Sequence, residues 1–310
     1  VTLRVLTAHG ADAATWQAVV DRQLHRDVML TPAYARVQEV VEQGQAICLT
    51  YGDVMLPGML LRNACGQEMK SFFGGGGPTE FSDDAEQAFT GWLKAHVVCE
   101  YAQCRYPCAK PPHAQHCKDA VVIDLLAIKP ERNRRRELKN EEAVRVRRMP
   151  PIVVLRDFHK LYTQSMVRLH ADQSWRWEEA TWQVWRNEMR DDRMAIFAAD
   201  VPGGPVESML LVIFGDGRAY AMFIGGERYH STLYLRAMEW CRDVADCHEF
   251  YLGGGRTDKS DDSLLMFKKS FGGLVVPVYR YRRIYDQAAY AKLAEHCPPT
   301  DFFPPWRAAA

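Results

Sequence analysis

Apolar residues change their spacing several times along this chain, and each change predicts an element. Residues 16–24 carry them at helical spacing, which predicts a short amphipathic helix; Thr31-Pro32 opens a second, with Thr as cap and Pro in the first turn. Residues 46–51 read as a strand, Gly52-Asp53 as a turn, and residues 54–56 and 59–61 as the return. Lys70-Ser71-Phe72-Phe73 reads as a strand running into Gly74-Gly75-Gly76-Gly77-Pro78, where bare backbone N–H groups would face whatever lies above the sheet. Residues 83–98 predict a helix with Phe89, Trp92, Leu93 and His96 on one side, and residues 121–125 a further strand.

Residues 129–148 hold nine Lys or Arg against four Glu, interleaved with Leu138, Ala143, Val144 and Val146. This reads as an exposed helix leading into a strand. Pro150-Pro151 ends it, and the domain boundary is placed there: residues 1–150, with 286–310 packing back on them, and residues 151–285. The second half repeats the sense of the first. Helices are expected at 158–169 and 175–189, strands at 194–199, 206–214 and 218–224, and a helix carrying Leu233, Ala237, Trp240, Cys241 and Val244 on one face. A strand at 248–252, a helix at 264–270 and a last strand at 275–285 follow. Each half is thus a helix pair, a largely antiparallel meander, a helix and a further strand. The predicted fold class is α/β (α+β), one mixed layout used twice.

Composition narrows the picture. The chain has 310 residues, 47% of them hydrophobic, and 39 Lys and Arg balance 39 Asp and Glu. A field of one sign over the whole surface is excluded, though a local patch is not. No stretch approaches the ~18 apolar residues of a membrane span, and residues 1–10 lack the basic and apolar regions of a secretory signal, so a cytoplasmic protein is expected. Nine cysteines is an odd number, and Cys99, Cys104, Cys108 and Cys117 with His113 and His116 lack the close repeated pairs of a zinc site. No metal is expected.

The segment richest in chemistry is Tyr251-Leu252-Gly253-Gly254-Gly255-Arg256, followed by Asp261-Asp262-Ser263-Leu264-Leu265-Met266-Phe267-Lys268-Lys269-Ser270-Phe271-Gly272-Gly273. Adjacent helical positions point about 100° apart, so the two lysines cannot share one environment. This run resembles the C-terminal motif of the FemABX-like family: a glycine-rich strand end, then a helix containing Phe-Lys and closing on Phe-Gly. Phe72-Phe73-Gly74-Gly75-Gly76-Gly77-Pro78 is similar to the aromatic-Gly-Gly-Pro loop of its first domain, and Val121-Val122-Ile123-Asp124-Leu125 with the Arg-rich helix is similar to the segment before its domain junction. The resemblance covers most of residues 30–285. It implies two tandem GNAT-like domains and transfer of an aminoacyl group from aminoacyl-tRNA to an amine of a peptidoglycan precursor, small peptide or natural product, in cell-wall or antibiotic biosynthesis. The long coiled-coil arm of some members is missing between Trp175 and Arg193, and Tyr106 of Arg105-Tyr106-Pro107 stands where the family carries an acidic residue.

Direct acyl transfer needs alignment of an amine with a carbonyl and stabilisation of the developing oxyanion, and no protein nucleophile. Lys268 is the candidate for the oxyanion, and His170 or Tyr106 for the amine's proton. The acceptor is expected against Gly74, Gly75, Gly76, Gly77 and Arg168, with Trp177 lining its cleft, and the ester near Gly253, Gly254 and Gly255. Phe73, Arg105, Tyr220 and Arg256 complete the expected substrate-binding set. Arg132, Arg134, Arg135, Arg136, Lys139 and Lys269 are the expected tRNA contacts, with a solvated helix face as the other reading of the basic run. Gly225-Gly226-Glu227-Arg228-Tyr229-His230-Ser231 places bulky residues where a coenzyme A pyrophosphate loop would have glycines. That favours aminoacyl-tRNA as co-substrate, no bound cofactor and a monomer; an acetyl- or acyl-CoA-dependent N-acyltransferase is the alternative.

Overall fold

The computed structural model describes residues 1–73, 75–106, 108–257 and 259–308. The first run of elements is β1 (Leu3–Thr7), α1 (Gly10–Arg22), α2 (Pro32–Glu42), β2 (Gln45–Tyr51), β3 (Val54–Asn63), β4 (Gly66–Lys70), α3 (Asp83–His96) and β5 (Cys99–Cys104). Then come β6 (Gln115–Asp124) and α4 (Arg132–Asn140). The second run repeats the first: β7 (Arg145–Met149), α5 (Pro151–Arg168), α6 (Glu179–Arg193), β8 (Met194–Asp200), β9 (Val206–Gly215), β10 (Arg218–Gly226), α7 (His230–Asp243) and β11 (Glu249–Gly254). It closes with α8 (Ser263–Lys269), β12 (Leu274–Ile284) and α9 (Gln287–Ala294).

Local chemistry fixes many of these ends. Thr31 Oγ1 accepts the Tyr34 amide at 3.3 Å and Pro32 sits in the first turn, which starts α2. Ser82 caps α3, whose first turn carries Asp83, Asp84 and Glu86. Pro150-Pro151 ends β7 as expected and also starts α5: Pro151 is in the first turn of the helix, where its missing N–H costs nothing. No helix among the described residues is long and apolar enough to cross a membrane.

The chain forms two compact units, Val1–Cys117 with Pro277–Ala310, and Lys118–Val276. In the first unit β1, β2, β3 and β4 are successive antiparallel neighbours, β5 lies parallel to β4, and residues 279–284 of β12 run antiparallel to β5. In the second, β7, β8, β9 and β10 are antiparallel neighbours, β11 lies parallel to β10, and residues 120–124 of β6 run antiparallel to β11. The fold class read from the sequence is therefore observed in each unit, a mixed and largely antiparallel sheet with flanking helices. The observed division falls at 117/118 and 276/277, whereas the sequence reading put it at 150/151 and 285/286. The difference follows from strand pairing: β6 completes the sheet of the second unit and β12 that of the first.

In both units the parallel pair is short. Glu68, Met69 and Lys70 of β4 pair with Cys99, Glu100 and Tyr101, and Arg218, Ala219 and Tyr220 of β10 pair with Glu249, Phe250 and Tyr251. Beyond those residues the strands part. In the first unit the segment after β4 fills the gap, since the Ser71 amide donates to Tyr101 O at 3.0 Å and the Gly76 amide to Gln103 O at 2.6 Å.

The core of the second unit packs Phe197, Leu210, Val212, Leu233, Met238 and Phe250 between sheet and α7. On the other side Phe158, Tyr162, Trp182, Trp185 and Phe223 form an aromatic cluster with ring centroids 5.1–6.0 Å apart along its contacts. The first unit has an apolar core of Ile47, Leu49, Leu56, Phe89 and Leu93. It also buries the charged pair Asp27 and Arg105, each 1% exposed and 2.8 Å apart. Arg105, expected to contact substrate, is thus enclosed in an ion pair. Removing one partner of a buried pair strands the other charge and costs about 3–5 kcal/mol. Arg105→Ala should lower the urea midpoint accordingly, while Asp27→Asn combined with Arg105→Met should cost less than Arg105→Ala alone.

Candidate functional site

The second unit gathers its chemistry where β11 ends and α8 begins. Phe250 and Leu252 anchor β11 in the core, and the register slips between Tyr251 and Gly253. Gly253 follows with φ +74°, a left-handed conformation that a side chain resists. A Cβ on Gly255 would lie 2.5 Å from Asp262 Oδ1, so the strand end must be bare there. Asp262 binds this turn to the helix. Its Oδ1 accepts the Leu264 and Leu265 amides, each at 3.0 Å, and so caps α8. Its Oδ2 accepts the Arg256 amide at 3.1 Å and the Thr257 amide and hydroxyl at 3.0 and 3.1 Å. These donors, the Leu265 amide foremost, hold the carboxyl at about 2, below its usual range.

On α8 the inward positions are Leu265 and Lys268, three residues apart on one face. Lys268 is only 8% exposed, and its ammonium donates to Gly254 O at 2.6 Å. Burial pushes its pKa down to about 8; positive Lys118 adds to the shift and Asp262 opposes it. The Lys118 stem lies beside the same strand end, its Cδ 3.6 Å from where a Cβ of Gly254 would stand. An ammonium has three donors, so the Gly254 carbonyl leaves capacity for an anionic oxygen on a bound molecule.

The other expected residues of this unit have varied surroundings. Tyr220 is buried, its ring 5.6 Å from that of Tyr251. The Arg256 side chain is exposed. Arg168 pairs with Glu227 at 3.1 Å and donates to Gly226 O at 3.0 Å. His170 is exposed, in a turn with positive φ after α5. Trp177, in the segment before α6, stacks 6.2 Å from Trp185 and meets Phe223 edge-on at 4.9 Å, so it belongs to the aromatic cluster. Arg132, Arg135, Arg136 and Lys139 are exposed on α4, and Lys269 is half-buried on α8. Arg134 alone among the described α4 residues is buried. Arg145 and Arg147, from the same basic run, both pair with buried Asp200.

In the first unit, Phe73 is half-buried; its amide donates to Gln38 Oε1 at 3.0 Å and its carbonyl accepts the Tyr34 hydroxyl. Gly74 lies outside the described residues. Gly75, Gly76 and Gly77 are buried, and the first two amides are not bare as expected: Gly75 donates to Phe72 O and Gly76 to Gln103 O. A Cβ on Gly77 would stand 2.7 Å from Cys104 Sγ, so these glycines permit close packing on β5. Tyr106 is 38% exposed in the turn after Arg105. The structure thus brings together Lys268, Gly253, Gly254, Gly255 and the Arg256 backbone. It adds Asp262, whose position before Ser-Leu-Leu is a helix-cap signal, and Lys118, which carries no local signal.

The start of α7 follows Gly225-Gly226. Gly226 has φ +106° and its amide donates to Ser165 Oγ at 2.8 Å. Glu141, just past α4, accepts the Thr232 amide at 3.1 Å and the Thr232 hydroxyl at 2.6 Å on one oxygen, while Arg134 donates to Ser231 Oγ. An internal carboxylate therefore caps the first turn of α7.

No protein-family model matches the chain, and no curated protein matches it by sequence. Solved structures do. FemX superposes with a TM-score of 0.70 at 11% identity, over 93% of this chain and 99% of its own. A conserved protein of unknown function from Bacteroides thetaiotaomicron gives 0.60 at 11% identity, over 90% and 98%. L-PGS from Bacillus licheniformis gives 0.58 at 9% identity, over 91% and 94%. The chain thus has the fold of FemX, as the FemABX-like motifs imply.

The Asp262 network has a pH signature. The folded carboxyl sits near 2, below the usual ~4 of an unfolded chain, so its stabilisation is complete above about pH 4 and is lost as pH falls through about 2. The urea-midpoint gap between the native chain and Asp262→Ala should be constant from pH 5 to 7 and narrow between pH 4 and 2. A gap independent of pH would show that Asp262 acts without its charge.

Proposed function

We propose that this chain is an aminoacyltransferase that moves an aminoacyl group from the ester of an aminoacyl-tRNA to an amine, forming an amide. The observation that carries the reading is the buried Lys268 ammonium held at Gly254 O beside a glycine-lined strand end. As the amine attacks the ester carbonyl, negative charge gathers on its oxygen. A fixed cation in a water-poor site stabilises that charge and requires little reorganisation. The carbonyl then re-forms and the ribose oxygen leaves with a proton. His170, in a turn of the second unit open to solvent, is a candidate for relaying the amine's proton. The fold shared with FemX and L-PGS supports this class by analogy.

Two features support tRNA as donor over coenzyme A. A coenzyme pyrophosphate seeks free amides at a helix start, and at α7 the Thr232 amide is already taken by the Glu141 carboxylate, which would also repel phosphate. The outer face of α4 presents Arg132, Arg135, Arg136 and Lys139 to solvent, a spacing suited to a phosphate backbone. The acceptor is an amine of a small peptide, natural product or peptidoglycan precursor, with Arg168, its side chain 45% exposed, as a contact.

The test incubates the chain with a charged tRNA pool and candidate amines, with and without ribonuclease, and in parallel with acetyl-CoA. Ribonuclease-sensitive amide supports the proposal. Nuclease-resistant, coenzyme-dependent amide replaces it with the acyl-CoA reading.

Lys268→Ala should lower turnover by about 10²–10³-fold, the usual loss for one oxyanion donor, with folding intact. Because the cation is the active form and its pKa is about 8, the rate should fall as pH rises past about 8; Lys268→Arg should move that limb upward. A rate unchanged in Lys268→Ala removes the residue from the chemistry. Replacing Arg132, Arg135, Arg136 and Lys139 together by Ala should weaken tRNA binding and flatten its salt dependence, by about 0.7–0.9 of slope per lost phosphate contact. An unaltered salt slope in a binding titration would make this face merely solvated.

A further inference from the structure

We infer that Arg134 is a positioning residue for Lys268, holding α8 in the one orientation that keeps the ammonium at the β11 end. The inference rests on the reading of Lys268 given above, and it removes Arg134 from the phosphate-binding set. Its side chain turns away from the solvent face of α4 and reaches the C-terminal end of α8. Nε and Nη2 donate to Ser270 Oγ at 3.0 and 2.9 Å, and Nη1 donates to Glu137 and Ser231. The guanidinium carbon lies 4.3 Å from the ring centre of Phe267 and 5.0 Å from that of Phe271. Those two rings and Ser270 are the residues one before, two after and three after Lys268.

Such a clamp has a job to do because α8 spans only seven residues. A helix that short has no orientation of its own in water; tertiary contacts set it. Asp262 fixes its N-terminal end, and the Glu131 amide fixes the other by donating to Ser270 O at 2.9 Å. Arg134 supplies the rotational constraint, since it grips one face of α8 and its end, meeting Phe267 within the helix and Ser270 and Phe271 just past it. A roll of about 20° about a helix with a radius of 5–6 Å moves side chains on the order of 2 Å. That is enough to break the Lys268–Gly254 hydrogen bond. One helix therefore carries two kinds of arginine: Arg132, Arg135 and Arg136 face solvent, while Arg134 faces the lysine-bearing helix.

The experiment reads Lys268 directly and needs no substrate. The full chain is labelled with a trace of acetic anhydride from pH 6 to 10, and mass spectrometry gives the rate at Lys268 relative to exposed Lys160 of α5. Ser270→Ala and Arg134→Met should each raise the relative rate at Lys268 about fivefold, the factor that ~1 kcal/mol of lost hydrogen bonding represents. Combined replacement of Arg132, Arg135, Arg136 and Lys139 by Ala should leave it unchanged. If Arg134→Met does not fold, Ser270→Ala decides. An unchanged rate at Lys268 in Ser270→Ala, or an equal rise in the solvent-face variant, overturns the inference. Absence of acyl transfer with any donor would overturn the proposed function and leave this labelling result intact.

Discussion

An ammonium taken out of water is unstable unless something replaces its hydration, and much of the second unit serves that need at Lys268. The replacement is the backbone carbonyl of Gly254, at a strand end where β11 has slipped register and turned at Gly253. The bare Gly255 lets Asp262 come in close enough to bind loop and helix with one carboxylate. Each of these features looks local; together they form one support for a single cation. Lys118 on the neighbouring strand keeps that support taut, since a second positive charge makes the first less comfortable and readier to meet an anion.

The two units reach the same element order with different uses for their glycines. Where the parallel strands part in the first unit, the glycine segment lies down on β5, and its buried amides find carbonyls. Where they part in the second, the glycines stay at the strand end with the lysine beside them. A repeated architecture has thus been closed on one side and left chemically equipped on the other.

Much of this was legible because apolar patterning is strong where burial is complete. Every residue of β8 is buried, and its sequence is a continuous apolar run up to Asp200. Strands β1 and β5 escaped notice because polar residues interrupt them; Glu100 of β5 is buried with Tyr281 and Tyr285, partners about 180 residues away that donate at 2.7 Å. Pro150-Pro151 stops β7 as its sequence suggests, and Pro151 is also welcome in the first turn of α5. The inward turn of Arg134 does have a signal in the sequence. It lies four residues before Leu138, the only apolar residue of α4, and so shares the inner face. Lys118 had none, because only the pairing of β6 with β11 brings it near the site.

The exchange of final strands bears on how the chain takes shape as it leaves the ribosome. Residues 118–276 hold every strand of their own sheet, so that piece can finish as soon as it is made. The earlier piece must wait with the outer edge of β5 unpaired until residues 279–284 arrive. The part synthesised first is completed last, and in the interval an open strand edge is exposed to mispairing.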